Sequence, residues 1–367
     1  MAQIAVTGAD GFIGRNLAVR LGELGHNVLP LVRGSERREW FAVVAGADAV
    51  VHLAGANRPV DPADFMSINL GTADLLADAI VAAERPVHVI YASSSRSTEP
   101  TDYGRSKLAG EERLEALAAQ VGSPVHILRL PNVFGKWARP NYNSAVATFC
   151  HNVSRDLPIR IHHPASPLSL VYIDDVVETI VALLNGPTDS GQVAVSPIYD
   201  TTVGAVADTI AGFRRDRADN LIDSVGIGLT RALYSTYVAS LPVTEFSYPI
   251  AAHSDPRGSF SEMLKTRTSG QFSYFTAHPG VTRGGHYHHS KTEKFLIVHG
   301  RARFRFRHVV TGEMHAIDVS GERPEIVETV PGWAHDVTNI GDTPLISLLW
   351  ANEIFDRGHP DTIAAKV

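Results

Sequence analysis

Two groups of residues have the types and spacing to do chemistry. Gly8, Gly11 and Gly14 follow a short apolar run, and further on Tyr103 stands four residues before Lys107. Near the other end, His286 and His288 are two residues apart, Glu293 follows, and His335 closes the segment Pro331-Gly332-Trp333-Ala334-His335. Glycines so spaced permit a tight turn, let a pyrophosphate approach the backbone, and let the next helix sit against a sheet. The helix N-terminus then offers unpaired N–H groups to phosphate. A dinucleotide site is therefore expected around Gly8, Gly11, Phe12, Ile13 and Gly14; an ordinary glycine turn is the weaker alternative because the motif directly follows a strand. Arg33 closes the second strand, where an acidic residue would bind the ribose hydroxyls of NAD. A guanidinium can pair with a 2′-phosphate instead, so NADPH is the expected cofactor.

The four-residue spacing puts Tyr103 and Lys107 on one helical face. A phenol ordinarily titrates near pH ~10; a neighbouring ammonium and an oxidised nicotinamide favour the phenolate, which makes proton exchange feasible near neutrality. Ser93-Ser94-Ser95 lies shortly before, at a strand end, where a hydroxyl can hold a carbonyl oxygen beside Tyr103. In the second group, histidines at i and i+2 share one face of an extended strand. Three imidazoles (His286, His288, His335) and the Glu293 carboxylate suit zinc or a similar divalent ion. His289 reads as a solvated neighbour, and His162-His163 as a surface pair. Cys150, the single cysteine, reads as a small buried hydrophobe. It leaves no partner for an intrachain disulfide.

These groups need two kinds of scaffold. Through the first 240 residues, short apolar strands (Ile4–Thr7, Val28–Val32, Ala49–Ala54, Val87–Ala92, Val125–Leu130) alternate with helical spacing (Asn16–Gly25, Ile68–Ala83, Tyr103–Gln120). That alternation predicts an α/β Rossmann-type, doubly wound parallel sheet. After about Phe246 short strand-like runs follow closely with glycine turns between them, predicting an all-β barrel or sandwich. The expected boundary is near residue 243, giving a nucleotide-binding domain over 1–243 and a metal-binding β domain over 244–367. The chain has 367 residues, is 44% hydrophobic and carries a formal net charge of −6, so bulk attraction to nucleic acid or an anionic membrane is not expected. Neither a signal peptide nor an apolar run of roughly 18 residues stands out. A cytoplasmic location is therefore expected.

Together with Val51-His52-Leu53-Ala54-Gly55, Arg129-Leu130-Pro131-Asn132-Val133-Phe134-Gly135 and Val171-Tyr172-Ile173-Asp174-Asp175-Val176, the first group resembles the extended short-chain dehydrogenase/reductases acting on nucleotide sugars. The resemblance implies Leu53 and Ala54 at the cofactor and Tyr103 and Lys107 as catalytic residues that also touch it. It implies a catalytic serine, Ser95 by its offset from the strand, with Ser94 the alternative, and Asn132 near the substrate. Asn69-Leu70-Gly71-Thr72 is one residue shorter than that family's pattern.

The second group, with Gly280 and Gly300 flanking it, resembles the metal-binding cupins, a jelly-roll fold, although Pro331-Gly332-x-x-His335 is a shortened form of their second motif. Asp255-Pro256-Arg257-Gly258-Ser259-Phe260 resembles a segment of cupin epimerases acting on nucleotide 4-keto-6-deoxysugars, implying that Arg257 meets the substrate diphosphate. Lys294, Tyr287 and His289 are open as acid/base groups, Lys294 foremost. The order of the two parts and the ending Leu349-Trp350-Ala351-Asn352-Glu353-Ile354-Phe355-Asp356 resemble the bifunctional CapF-type capsular-polysaccharide enzymes. That resemblance implies C3 epimerisation of a UDP-2-acetamido-2,6-dideoxy-4-ketohexose, NADPH reduction at C4 to UDP-N-acetyl-L-talosamine, and a homodimer. A plain reductase whose β domain serves dimerisation or ligand sensing is the alternative.

Overall fold

In the computed structural model, which describes residues 1–186 and 189–367, the chain divides into two compact units. One comprises Met1–Ala211 with Gly228–Pro242, the other Gly212–Ile227 with Val243–Val367.

The first unit opens with β1 (Gln3–Thr7), α1 (Phe12–Glu23), β2 (Asn27–Leu31), α2 (Arg37–Gly46), β3 (Ala49–His52), α3 (Asp64–Ala82), β4 (His88–Ser94), α4 (Asp102–Val121) and β5 (Val125–Leu130). It continues with β6 (Asn132–Phe134), α5 (Ala145–Val153), β7 (Pro167–Tyr172), α6 (Ile173–Leu184), β8 (Gly191–Val193) and β9 (Ile198–Thr202). Six strands form one parallel sheet in the order β2-β1-β3-β4-β5-β8, and β6-β7-β9 make a small second sheet. The central strands are nearly continuous apolar runs because helices cover both faces. Ala5, Val50, Val89 and Ile127 join Leu76 and Ile80 of α3 and Leu114 and Leu117 of α4 in one buried cluster. By length and composition α3 could cross a membrane; here it lies between α2 and α4, with Asp74 paired to Arg113 of α4.

The strand order reverses between β1 and β3, and in open parallel sheets the crevice at such a point, beyond the carboxyl ends of the strands, is where ligands bind.

Next come α7 (Val203–Ala218), β10 (Leu221–Ile222) and α8 (Gly228–Ala239), the division between units falling within α7. The second unit is otherwise built from β11 (His253–Asp255), β12 (Gly258–Thr266), β13 (Gly270–Ala277), β14 (Thr282–Tyr287), β15 (Glu293–His299), β16 (Arg301–His308), β17 (Met314–Ser320), β18 (Ile326–Glu328), β19 (Trp333–Asn339), β20 (Leu345–Ala351) and β21 (Ile363–Ala364). One sheet runs β10-β12-β13-β20-β15-β18 with β11 on β12, the other β17-β16-β19-β14-β21. Alternate residues of the two sheets meet in a single core. Phe275, Phe295, Ile297 and Leu345 come from the first sheet, and Phe304, Phe306, Val319 and Val337 from the second. Phe295 and Phe304 contact edge to face at 5.4 Å between ring centroids. Phe304 is 1% exposed. Phe304→Ala should therefore cost about 3–5 kcal/mol, and a denaturant titration should show the loss as a lowered midpoint for this unit.

Candidate functional site

The glycine turn is assembled against the ends of three strands. Gly8 takes φ +66°, a left-handed conformation that suits glycine, and its N–H donates to the Leu31 carbonyl of β2 at 2.7 Å. A β-carbon at Gly8 would stand 3.1 Å from the backbone of Leu53 and Ala54. Thr7 holds the same junction, its hydroxyl accepting the N–H groups of Leu53 and Ala54 at 3.0 Å each. A β-carbon at Gly14 would lie 2.3 Å from the Gly8 carbonyl oxygen, so only glycine lets α1 start this close to the turn. The first turn of α1, with Phe12 and Ile13, therefore points its free N–H groups into the crevice between β1 and β3. Arg33 is exposed two residues past the end of β2.

Lys107, 6% exposed, lies below that crevice. Its ammonium donates to the Ala92 carbonyl at 2.7 Å and sits 4.5 Å from the centre of the Tyr91 ring. Burial pulls its pKa down to about 8, with the buried Glu111 carboxylate acting in the opposite direction. Tyr103, one helical turn earlier, is half-buried against Phe65. Asn69 closes the floor: its side chain accepts from the Ala56 N–H at 2.7 Å and donates to the Ser106 hydroxyl at 2.8 Å.

Thr101 caps α4 by accepting from the Gly104 N–H. A β-carbon at Gly104 would come within 2.5 Å of the Arg96 carbonyl, so the serine loop is pressed onto the first turn of α4. Within that loop Ser93 gives its hydroxyl to Glu111, and Ser94 accepts from the Arg96 N–H at 3.2 Å. Ser95 is exposed, leaving it the serine most open to a ligand. Asn132 begins β6, exposed, and donates to the Ser169 carbonyl at 3.1 Å rather than capping a helix.

In the second unit His286, His288, Glu293 and His335 each bring one ligand atom to a common point, all within 4.8 Å of one another. His286 and His335 are directly paired across β14 and β19, and Glu293 enters from the facing sheet at the start of β15. The Glu293 Oε2 atom is 3.2 Å from His288 Nε2 and 3.4 Å from His335 Nε2. His288 Nδ1 lies 2.5 Å from the Asp361 carbonyl oxygen. A carbonyl only accepts, so Nδ1 carries the proton and a neutral His288 aims the Nε2 lone pair at a carboxylate. That arrangement repels unless a positive charge lies between or the ring is doubly protonated. Three imidazoles, one of them oriented by a backbone carbonyl, and a carboxylate are a set that could hold a divalent ion, since ligand atoms about 3.4 Å apart are expected for bonds of about 2.1 Å. Burial raises the Glu293 pKa; where the facing His288 and His335 nitrogens carry protons, their hydrogen bonds outweigh it and hold the carboxyl well below its usual range. Burial, followed by the charges of His335 and His288, lowers His286 to about 4.

Lys294 is not at this cluster. It is the neighbour of Glu293 on an extended strand, so its side chain leaves from the opposite face, where it is exposed and pairs with Glu328. The buried lysine close by is Lys291, which sequence spacing did not single out; its ammonium donates to the Pro360 carbonyl and the Thr362 hydroxyl. Asp361 also escaped the sequence reading, with no motif to mark it. Arg257, at the turn between β11 and β12, is exposed and forked onto Asp255, whose pKa its hydrogen bonds lower to about 2.

Residues 4–195 match the NAD dependent epimerase/dehydratase family, and residues 253–363 the polysaccharide biosynthesis C-terminal domain. A UDP-2-acetamido-2,6-beta-L-arabino-hexul-4-ose reductase of Pseudomonas aeruginosa is 51% identical over 367 residues, 100% of this chain and 99% of its own. The crystal structure of the capsular polysaccharide assembling protein CapF from Staphylococcus aureus superposes with a TM-score of 0.92 at 38% identity, covering 99% of this chain and 100% of that one. The chain belongs to the CapF family. The family match over residues 4–195 supports a nicotinamide cofactor for the first unit. A Thermus thermophilus UDP-glucose 4-epimerase complexed with NAD shares the fold of 58% of the chain and 83% of its own, with a TM-score of 0.52 at 21% identity.

Gly14→Ala should push α1 off the glycine turn and weaken nicotinamide nucleotide binding by about tenfold or more; fluorescence titration with NADH and with NADPH reads the change directly. Lys107 is charged below pH about 8 and neutral above it. The pH profile of kcat/KM for nicotinamide-dependent turnover should accordingly be level below that point and decline above it, whereas a constant rate up to pH 10 would separate the Lys107 charge from turnover.

Proposed function

We propose that this chain is a bifunctional UDP-sugar enzyme whose second unit, a cupin, epimerises C3 of UDP-2-acetamido-2,6-dideoxy-4-ketohexose and whose first unit reduces the C4 ketone with NADPH. The product on this reading is UDP-N-acetyl-L-talosamine, a precursor of N-acetyl-L-fucosamine for capsule or O-antigen. The enzyme acts in the cytoplasm as a homodimer. The end-to-end match to the Pseudomonas aeruginosa reductase, at 51% identity, carries the proposal. The exposed Arg33, two residues past the end of β2, favours a 2′-phosphate and hence NADPH.

NADPH, when bound along the glycine turn, supplies the hydride for C4. Tyr103 donates a proton from its hydroxyl to the oxygen as negative charge develops there. The Lys107 ammonium, one turn away, lowers the cost of the resulting phenolate and orients the nicotinamide ribose. Ser95 donates a hydrogen bond to the same oxygen, and Asn132 lies where it can contact the sugar. In the second unit, His286, His288, Glu293 and His335 would hold zinc or a similar divalent ion, which supplies a Lewis acid to the ketone. Arg257 matches a diphosphate through its planar fork once it is released from Asp255.

Chemistry sets the order of events. The C4 carbonyl acidifies the C3 hydrogen, and reduction removes that carbonyl, so epimerisation comes first. The full-length protein, incubated with the 4-keto sugar in deuterated water with and without NADPH and followed by NMR, tests both halves. Tyr103→Phe should abolish NADPH oxidation and leave deuterium entry at C3 intact; Glu293→Ala should do the reverse on sugar that is already epimerised. Near-normal reduction by Tyr103→Phe would overturn the reductase assignment. Undiminished exchange by Glu293→Ala would instead favour a cupin that serves only association or ligand sensing.

A further inference from the structure

The C-terminal segment is fastened over the cluster of imidazoles from both sides. β21 pairs antiparallel with the end of β14, Ala364 opposite His286 and Ile363 opposite Tyr287, and the Ala365 N–H donates to the Gly285 carbonyl at 2.9 Å. Just before this strand stands Asp361, whose backbone takes φ +32°. Non-glycine residues enter that left-handed region at a cost that surrounding contacts must meet, aspartate and asparagine more readily than most.

The contacts are concentrated on one turn. The Asp361 carboxylate accepts the His289 N–H at 2.9 Å, the Ser290 N–H at 2.9 Å and the Lys291 N–H at 2.8 Å, and takes the Ser290 hydroxyl at 3.0 Å. Its carbonyl oxygen meets His288 Nδ1 at 2.5 Å. The turn so gripped, residues 289–292, is the connection between His288 and Glu293. One residue therefore fixes both the ring orientation of a ligand and the loop that sets its separation from the next. On the other flank Lys291 donates from its buried ammonium to Pro360 and Thr362, so the clasp is tied from the turn as well as from the tail.

We propose that Asp361 is a positioning residue for the metal centre: it locks the His288 tautomer through its carbonyl and holds the His288–Glu293 turn through its carboxylate. The inference rests on the metal reading given above. Partners of this kind, one shell out from the ion, are typically worth about 10–100-fold in metal affinity.

The test uses metal-free full-length protein titrated with zinc against a chromophoric chelator. Asp361→Gly keeps the left-handed backbone accessible and removes only the carboxylate; it should bind zinc about 10–100-fold more weakly, and its cobalt-loaded form should show an altered visible absorption spectrum. Asp361→Asn retains one accepting oxygen and should recover part of the loss. The thermal midpoint of the metal-free proteins should move far less than the affinity. Equal zinc affinity in wild type and Asp361→Gly would overturn the clasp. Should Asp361→Gly fail to fold, Asp361→Asn is compared with wild type alone, and parity between them has the same force. A wild-type chain without zinc affinity would instead overturn the metal reading, and the clasp with it.

Discussion

A charge removed from water has to be met by another charge, by oriented dipoles or by a polarisable face, and each unit of this chain is organised around one such charge. In the first it is the Lys107 ammonium, enclosed by the Ala92 carbonyl, the Tyr91 ring and the nearby Glu111 carboxylate. In the second it is Glu293, facing two imidazole nitrogens across little more than 3 Å. Breaking either set leaves an uncompensated buried charge, which is far more costly than the interaction itself is favourable. The partners are consequently drawn from rigid elements: strand ends, a helix interior and directly paired strand positions.

The two folds meet this requirement differently. The parallel sheet supplies a crevice by its strand order, and small residues bring backbone to backbone within it. Gly8 and Gly14 remove the side chains that would hold β1, β3 and α1 apart, and Thr7 ties the first two together. The β unit supplies no crevice of that kind. It uses cross-strand register, setting His286 opposite His335, and the facing sheet delivers Glu293 into the gap. Glu111 shows the same economy on α4, since its carboxylate is shared among Ser93, Arg129 and the field at Lys107.

What the sequence disclosed depended on range. The glycine turn and the Tyr103–Lys107 spacing are local, governed by one turn or one helix period, and the structure brings those residues to one crevice. The i, i+2 histidines are local in the same way. His335 joined the other ligands by residue type alone, and its direct pairing with His286 was not legible, because register between strands almost fifty residues apart leaves no periodic trace. Lys294 shows the reverse hazard. Adjacent to Glu293 in sequence, it lies on the other side of the sheet, because a single step along a strand inverts the side-chain direction. Asp361 was invisible for a third reason: its contact with His288 passes through a backbone carbonyl, which every residue possesses. The serine segment was legible only as a group, since what distinguishes its members is a partner, Glu111, on another element.

The short strand β10 precedes α8 in the chain, yet it pairs in parallel with β12 of the second unit, Leu221 beside Lys265 and Ile222 beside Thr266. The β unit is thus not one uninterrupted stretch of polypeptide. A fragment begun after Pro242 would lack this border strand and bare the end of β12 at Lys265 and Thr266, an invitation to intermolecular pairing. Exchange of either unit by simple gene fusion at that point would meet the same obstacle, so the threaded crossing ties the inheritance of one unit to that of the other.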